Sequence, residues 1–236
     1  MLRVEASSWP RSLWYEVLGA DSYDPKPTEE VRKEAEKGDP RHQCILANRC
    51  GWVPEEDYAE QARWYRKASD QGYAPAQFHL GWLYDHIYSL GRRTGFGQDY
   101  AEAAKWYRRA ADQGFAPAQF HLGSLYENGE GVGQDHLEAA KLYRKAADQG
   151  LRFAQFNLGL KYYSGQGVGQ DYAEAAKWYH KAADQAFDRA QFNLGLMYNS
   201  GQGVGRDRVQ AHLWMNLAAA SANFEDECKR YAAVRN

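Results

Sequence analysis

The stretch GQGVGQDYAEAAKWYHKAADQ, residues 165–185, decides how the rest of the chain is interpreted. It contains alternating glycines, then an aspartate suited to capping a helix, then an apolar helical stripe with a Trp-Tyr pair. Taken alone, it fits either a glycine-rich phosphate loop that opens a helix or a connector between two helices. The first interpretation predicts a nucleotide-binding enzyme, and the second predicts part of a larger array.

The stretch recurs along the chain, and the recurrence favours a connector. The capping aspartate returns every 36 residues, at Asp99, Asp135, Asp171 and Asp207. A period of this length is the signature of a repeat array. The glycine motif recurs at 129–133 and 201–205, each time after a predicted helix, whereas a phosphate loop follows a strand. We therefore interpret the motif as a helix-to-helix connector.

Each repeat contains two helical patterns. AQFHLGSLYENG, residues 118–129, places Leu122, Leu125 and Tyr126 on one face. DYAEAAKWYRRAADQG, residues 99–114, carries an apolar stripe of alanines and tyrosines at helical spacing. A glycine follows a leucine in the middle of four first helices, at 81, 123, 159 and 195, whereas the degenerate first repeat has Ala47 there. Because a mid-helix glycine costs about 1 kcal/mol relative to alanine, its recurrence predicts that a partner helix approaches closely there.

The second helix of each repeat has recognisable start and stop signals. Asp99 with Glu102 fits a capping box, and the pattern returns at Asp57/Glu60, Asp135/Glu138 and Asp171/Glu174. Gly72, Gly114 and Gly150 stand where a left-handed residue ends the helix. Ala186 occupies that place in the fourth repeat. We expect strain at Ala186 if its φ is positive, because alanine pays a steric cost that glycine avoids.

Composition narrows the class of protein. The chain has 236 residues, 44% of them hydrophobic and 25% charged, which is typical of a folded protein. A net charge of −2 gives no electrostatic basis for binding nucleic acid or an anionic membrane. No apolar run approaches the roughly 18 residues of a membrane span, and the N-terminus lacks the continuous apolar stretch of a signal peptide. We therefore expect a cytoplasmic protein whose three cysteines are free thiols.

The repeated residues resemble the Sel-one-like repeat, a relative of the tetratricopeptide repeat. The resemblance rests on AQFHLG, the Gly-x-Gly-Val connector, the capping Asp, and the Trp and Ala-Ala that follow, and it covers about residues 38–220. It implies an all-α, right-handed α/α solenoid of about five tandem helix-turn-helix repeats with N- and C-terminal capping helices. The corresponding domains are 1–37 with N-terminal helices and a proline-containing linker, 38–222 with the solenoid, and 223–236 with a C-terminal capping helix.

The two ends of the chain carry their own helical signals. NFEDECKRYAAV, residues 223–234, predicts a short amphipathic helix that caps the array. An amphipathic helix is also predicted to end at Gly19, and Thr28 can cap a further helix that runs to Lys37. The first of these N-terminal helices either folds onto the array or binds a partner, and the sequence leaves both possibilities open.

The resemblance also implies a function and a surface. Such proteins serve as non-enzymatic scaffolds or adaptors, and a protein or peptide partner binds on the concave face formed by the first helices. The positions that flank the Leu-Gly pair are the candidates: Phe78, His79, Trp82, Asp85, Phe120, His121, Ser124, Glu127, Asn157, Leu160, Tyr163, Asn193, Leu196 and Asn199. Asparagine side chains can bond to the backbone of an extended peptide, and aromatic side chains can anchor it. The alternative is that the phenylalanines pack between helices and only the polar members are accessible.

A long connector provides a second candidate surface. The segment DHIYSLGRRTGFGQD, residues 85–99, is six residues longer than the matching segments of the last three repeats. Its Tyr88, Arg92, Arg93 and Phe96 combine aromatic and guanidinium groups, which are common at interaction hot spots. Alternatively, this segment extends a helix whose apolar residues pack against the degenerate first repeat.

The sequence is compatible with two alternative functions. The protein could be an inhibitor, such as an immunity protein that neutralises a bacterial toxin by binding it. It could also be a hydrolase acting on β-lactam or cell-wall substrates, as suggested for some relatives. No catalytic, cofactor-binding or metal-binding residue is identified, because the histidines lack the spacing of a zinc helix and no nucleophile motif occurs. His42, Cys44 and Cys50 lack an evident fourth metal ligand.

Overall fold

The computed structural model describes residues 24, 26, 28–50, 58–86 and 99–220. These residues form α-helices joined by short turns, and no strand occurs among them. The helices are α1 Thr28–Glu36, α2 Pro40–Cys50, α3 Tyr58–Asp70, α4 Ala74–His86, α5 Tyr100–Asp112, α6 Ala116–Asn128, α7 His136–Asp148, α8 Arg152–Ser164, α9 Tyr172–Ala183, α10 Asp188–Ser200 and α11 Arg208–Ala220.

The helices fall into two compact units whose boundary lies within α6. The first unit comprises residues 1–125 and 129–133, and the second comprises 126–128 and 134–236. In the first unit consecutive helices from α1 to α5 pack against one another, and in the second unit consecutive helices from α7 to α11 do the same. Packing between consecutive helix pairs is the arrangement of an α/α solenoid, so the predicted fold class is confirmed. The predicted helices before residue 20 and after residue 222 lie outside the described residues.

Aspartate caps begin the second helices as the sequence predicts. The Asp99 carboxylate accepts a hydrogen bond from the Glu102 backbone N–H at 2.9 Å, and Asp135, Asp171 and Asp207 cap their helices in the same way. The second hydrogen bond of a capping box, from the backbone N–H of the capping residue to the glutamate side chain, is replaced by another bond at Asp99. The Asp99 backbone N–H donates to the carbonyl of Tyr84 at 3.0 Å, and the Glu102 side chain pairs with Lys105 at 2.8 Å. A carbonyl of the preceding helix therefore accepts the hydrogen bond that the glutamate side chain accepts in a capping box. Asp57 lies outside the described residues.

Left-handed residues end these helices, also as predicted. Gly72, Gly114 and Gly150 have φ of +83°, +86° and +93°, and Ala186 adopts φ of +57°. The backbone N–H of Ala186 donates to Ala183 at 2.9 Å, and Phe187 donates to Ala182 at 3.2 Å. The glycine-ended helices close with the same pair of bonds. Alanine therefore adopts a conformation that costs it about 1 kcal/mol or more.

The glycine-rich connectors hold the repeats together through close backbone contact. The middle glycine of each connector has a positive φ and lies against the N-terminus of the second helix of the preceding repeat. A Cβ on Gly167 would lie 2.0 Å from the carbonyl oxygen of His136, and one on Gly203 would lie 2.2 Å from that of Tyr172. This contact explains why the connector requires glycine and confirms that it is a structural motif.

Close approach also explains the mid-helix glycines of α4 and α8. A Cβ on Gly81 would lie 2.8 Å from the ring of Tyr107, and one on Gly159 would lie 2.6 Å from the ring of Tyr179. Both tyrosines are buried in the second helix of the same repeat. The predicted close approach of the partner helix is therefore confirmed, and an aromatic ring occupies the space that the glycine leaves.

A buried glutamine, which the sequence shows only as a recurring residue, connects consecutive repeats. The side-chain amide of Gln155 donates to the carbonyl of Ala147 at 3.2 Å, and its oxygen accepts from Gln185 at 2.8 Å. Gln77, Gln119 and Gln191 make the same bond to a carbonyl eight residues earlier. Each of these carbonyls also accepts the backbone N–H of the left-handed residue three positions later, so the glutamine provides a second donor at the end of the preceding helix.

Candidate partner-binding surface

The first helices of the first unit expose little of the predicted surface. Phe78 and His79 are both buried, so the structure places them in the core instead of on a partner-binding face. The Phe78 ring packs within 5.3–5.7 Å of the rings of Tyr107, Phe115 and His121. The alternative interpretation, in which the phenylalanine packs between helices, is therefore correct at Phe78. Trp82, Phe120 and Ser124 are only partly buried.

A polar cluster that the sequence does not predict lies beside this aromatic core. The Asp85 carboxylate oxygen Oδ2 lies 3.1 Å from the hydroxyl of Tyr107, 3.6 Å from Nδ1 of His86 and 4.0 Å from Nδ1 of His121. Burial, with a smaller contribution from His86, lowers the pKa of His121 to about 3. Burial alone lowers the pKa of His79 to about 3. Both imidazoles are therefore neutral near pH 7, and their pKa values are far from the range that suits a general base.

The second unit has an open surface at the equivalent positions. Leu160, Tyr163 and Leu196 are between 36% and 38% exposed on α8 and α10, and Asn199 is exposed beside them. The equivalent of Leu160 and Leu196 in the preceding repeat is Ser124, at a spacing of 36 residues. Large apolar side chains therefore replace a small polar one where the surface is accessible.

Part-exposed amides accompany these apolar side chains. Asn193 interacts with the side chain of the buried Tyr179, where it partly offsets the rise in the Tyr179 pKa that burial causes. Within the described residues, the Asn157 side chain has no hydrogen-bond partner, although it is only partly buried. Tyr163 donates to the Gln202 side chain at 3.2 Å. The amide of Asn157 therefore remains available to a peptide backbone.

Glu127 is held in an ion pair instead of facing a partner. Its Oε1 lies 2.6 Å from Nζ of Lys161, and its Oε2 accepts from the Tyr143 hydroxyl at 2.6 Å. Lys161 is almost fully buried, at a position that Leu125 and Met197 occupy in the neighbouring repeats. Glu127 therefore compensates a buried ammonium group, which is a structural role.

The remaining predicted partner-binding residues belong to the long connector. Tyr88, Arg92, Arg93 and Phe96 of the long connector lie outside the described residues.

In the described ranges, no group of three or more His, Cys, Asp or Glu side chains is arranged to hold a metal ion. His42 instead lies 3.3 Å from Asp24 and 3.1 Å from Asp39, and Cys44 and Cys50 are free cysteines. Cys228 lies outside the described residues.

None of the helices formed by the described residues is both long and apolar enough to cross a membrane.

Comparison with known proteins gives the same architecture. The family model of the Sel1 repeat matches residues 51–73, 74–115, 116–151, 152–187 and 188–223. The protective antigen c5321 of uropathogenic Escherichia coli, which has the SLR fold, is 37% identical with a TM-score of 0.78 over 83% of this chain. A Sel1 repeat protein from Oxalobacter formigenes is 30% identical with a TM-score of 0.76 over 89% of this chain. The chain spans 41% of the length of the first of these proteins and 59% of the second.

Bacterial immunity proteins share the fold at lower identity. PA5088 from Pseudomonas aeruginosa is 23% identical, with a TM-score of 0.54 over 91% of this chain and 82% of its own length. No protein with a curated description matches the sequence.

Proposed function

The chain belongs to the Sel1 repeat family, and we propose that it is a non-enzymatic protein-binding scaffold whose partner contacts the first helices of the second unit. Sel1 repeats generally mediate protein–protein interaction, and the family is typically non-enzymatic. The observation that carries the proposal is the exposure of Leu160, Tyr163 and Leu196 beside the available amide of Asn157. Apolar anchors with adjacent hydrogen-bonding groups are the usual composition of a protein-binding surface.

The partner that suits this surface is an extended peptide segment. Leu160 and Leu196 stand at equivalent positions of successive repeats, so their side chains can contact two apolar residues of one bound segment. On the same helix as Leu160, Asn157 can donate to a peptide carbonyl and accept from a peptide N–H. Tyr163 adds an aromatic contact, and its bond to Gln202 limits the rotamer entropy that binding must overcome.

The proposal is tested with a variant that removes the apolar anchors and keeps the helices intact. Leu160→Ser with Leu196→Ser introduces the residue that the chain itself carries at position 124. A partner is first captured on the wild-type protein from native lysate, identified and purified. We expect its affinity for the double variant to fall by about tenfold for each anchor, because each leucine loses its buried contact.

Leu137→Ser is the matched control, because Leu137 is also an exposed leucine but lies on a second helix. It should leave the affinity unchanged. Asn157→Ala should weaken binding without altering stability. Unchanged affinity in the folded Leu160→Ser/Leu196→Ser variant would overturn the proposed site, and the long connector with Arg92 and Arg93 would then be tested next.

The same experiment separates an adaptor from an inhibitor. If the captured partner is a toxin or an enzyme, its activity is measured with and without this protein. Loss of activity that depends on Leu160 and Leu196 would assign the narrower role of an immunity protein. Unchanged activity in the complex would assign a scaffold role. Saturable turnover of a β-lactam or cell-wall substrate by the purified protein, abolished by a single substitution of His86 or Asp85, would contradict the non-enzymatic proposal.

A further inference from the structure

The last described helix carries an apolar row on a face where the other second helices have basic residues at two of the three positions. Val209, Leu213 and Leu217 follow one another at helical spacing along α11, and they are between 41% and 76% exposed. We call these three residues the outer face of α11. Single exposed leucines are ordinary, as at Leu137, but a continuous apolar row on one helix face normally has a contact partner.

The preceding repeats show which residues this helix face carries when it is exposed to solvent. The residue 36 positions before Leu213 is Lys177, and its ammonium lies 3.0 Å from Glu174. The residue 36 positions before Leu217 is Lys181, and its ammonium lies over the Trp178 ring at 3.8 Å from the ring centroid. Basic residues also occupy both places in α3, α5 and α7: Arg63, Lys67, Lys105, Arg109, Lys141 and Lys145. Only in α11 are both replaced by leucine.

A second observation indicates that the chain after α11 completes this end of the array. The buried side-chain oxygen of Gln191 has no hydrogen-bond partner within the described ranges. The equivalent oxygen of Gln155 accepts from Gln185. The residue 36 positions after Gln185 is Ser221, the first residue beyond α11. A serine hydroxyl can donate a hydrogen bond, so the sequence provides a donor at this position of the repeat.

We propose that residues 223–234 form a helix that packs antiparallel on the outer face of α11. This segment, NFEDECKRYAAV, repeats its apolar residues Phe224, Cys228 and Tyr231 at helical spacing. α11 ends at Ala220, so a short turn lets the chain fold back along it.

The spacing of the two apolar rows agrees in this orientation. Folding back brings Phe224 beside Leu217, Cys228 beside Leu213 and Tyr231 beside Val209. Steps of three or four residues rise by about 5–6 Å in an α-helix, so both rows advance at nearly the same rate. The segment then covers a face of α11 that is separate from the proposed partner-binding surface, and the inference does not depend on that function.

The segment is poorly suited to packing as the first helix of another repeat. In α4, α6, α8 and α10 a fully buried alanine precedes the buried glutamine that donates to the preceding helix, as Ala190 precedes Gln191. The residues 36 positions later are Asp226 and Glu227. Ionised carboxylates cannot donate to a carbonyl, and burying them unpaired is costly. The outer face, which needs only apolar contact, suits the segment better.

Cys228 allows a direct test of the contact by disulfide formation. Leu213→Cys places a thiol on the outer face, and His212→Cys places one on the adjacent face, where a further repeat would stack. A disulfide requires Cα atoms within about 4.4–6.8 Å, so it reports which face Cys228 contacts. Both variants are oxidised mildly as full chains, and the products are identified by peptide mass mapping. We expect an intramolecular 213–228 disulfide to form about tenfold faster than a 212–228 disulfide.

The other results of this experiment each overturn the proposal. A faster 212–228 disulfide would place the segment on the stacking face. An intermolecular 213–213 disulfide would make a second copy of the chain the occupant of the outer face. Formation of neither disulfide would show that residues 223–234 do not pack on α11.

A second variant tests the contact without adding a thiol. Leu213→Lys with Leu217→Lys restores the residues that α9 carries on this face, so the helix itself should remain folded. We expect alkylation of Cys228 to become about tenfold faster or more, because the helix loses its apolar contact and opens. Leu137→Lys is the matched control and should leave the rate unchanged. Equal Cys228 reactivity in the wild type and the double lysine variant would contradict the proposal.

Discussion

The ammonium group of Lys161 lies 2.6 Å from the carboxylate of Glu127, at a position that is apolar in the neighbouring repeats. The side chain of Lys161 is 2% exposed and that of Glu127 is 20% exposed. The two partners therefore differ in their access to water. Water can reach Glu127 if the pair is broken, but it cannot reach Lys161 without a rearrangement of the core.

We therefore expect removal of the two partners to have unequal effects on stability. Glu127→Ala leaves a buried ammonium uncompensated and should lower the free energy of unfolding by about 3 kcal/mol. Lys161→Met introduces the residue found at Met197, keeps the bond from Tyr143 to Glu127, and should cost about 1 kcal/mol or less. Urea unfolding of each variant measures both effects. The double variant should be more stable than Glu127→Ala alone, and strict additivity of the two losses would contradict this account.

The positive φ of Ala186 predicts that replacing this residue with glycine stabilises the protein. Its φ of +57° is unfavourable for alanine, and the three equivalent residues in other repeats are glycine. Ala186→Gly should raise the free energy of unfolding by about 1 kcal/mol, because relief of backbone strain exceeds the added entropy of the unfolded chain. Thermal and urea unfolding provide the measurement.

Gly150→Ala is the reverse substitution and serves as the control for Ala186→Gly. Gly150 has φ of +93°, and a Cβ there would meet no atom within 4 Å, so only the backbone conformation opposes alanine. It should lower stability by about 1 kcal/mol or more. A destabilising Ala186→Gly together with a neutral Gly150→Ala would contradict the strain assigned to alanine in this left-handed conformation.

The features that the sequence predicts correctly are local ones. The caps at Asp99 and Asp171, the left-handed turn at Ala186 and the close approach at Gly159 each depend on residues near in sequence or on a strict repeat. Such features require a particular backbone conformation or a missing side chain, and few residue types provide either. The periodic spacing then transfers each inference from one repeat to the next.

The accessible surface is harder to predict, because burial depends on how neighbouring side chains pack. His79 and Asn157 occupy equivalent positions, yet His79 is buried against the Tyr65 ring and Asn157 remains partly exposed. The sequence treats both as members of one groove. The repeat pattern does not name the partner of Lys161, although it carries a signal of the ion pair: a lysine replaces an apolar residue at a core position of the repeat.

The glycine-rich connector predicts a large difference between two of its glycines. Gly167 has φ of +78°, and a Cβ would lie 2.0 Å from the carbonyl oxygen of His136. Gly169 follows in the same connector, and a Cβ there would meet nothing within 4 Å. Gly167→Ala should therefore cost about 3 kcal/mol or more, whereas Gly169→Ala should change stability by less than about 1 kcal/mol. Urea unfolding of the two variants compares them directly, and similar values would refute a structural role for the Gly167 contact.

The buried histidines predict acid sensitivity of the first unit. His79 and His121 have a pKa of about 3 in the folded protein, below the value of 6.5 expected for the unfolded chain. The unfolded chain therefore binds more protons as the pH falls below 6.5, so stability is full above this pH and declines toward pH 3. Each histidine adds up to about 1.4 kcal/mol of lost stability per pH unit within this window.

His79→Asn with His121→Asn tests this effect by introducing the residue that stands at positions 157 and 193. Asparagine does not titrate, so the free energy of unfolding of the variant should fall less steeply between pH 6.5 and 5 than that of the wild type. Urea unfolding at several pH values measures both slopes, and the comparison removes the contributions of groups common to the two proteins. The variant is also expected to be less stable at pH 7, because the stack of Tyr65 on His79 is lost. The slope, and not the absolute stability, is therefore the decisive quantity, and equal slopes would show that the two imidazoles become protonated without unfolding.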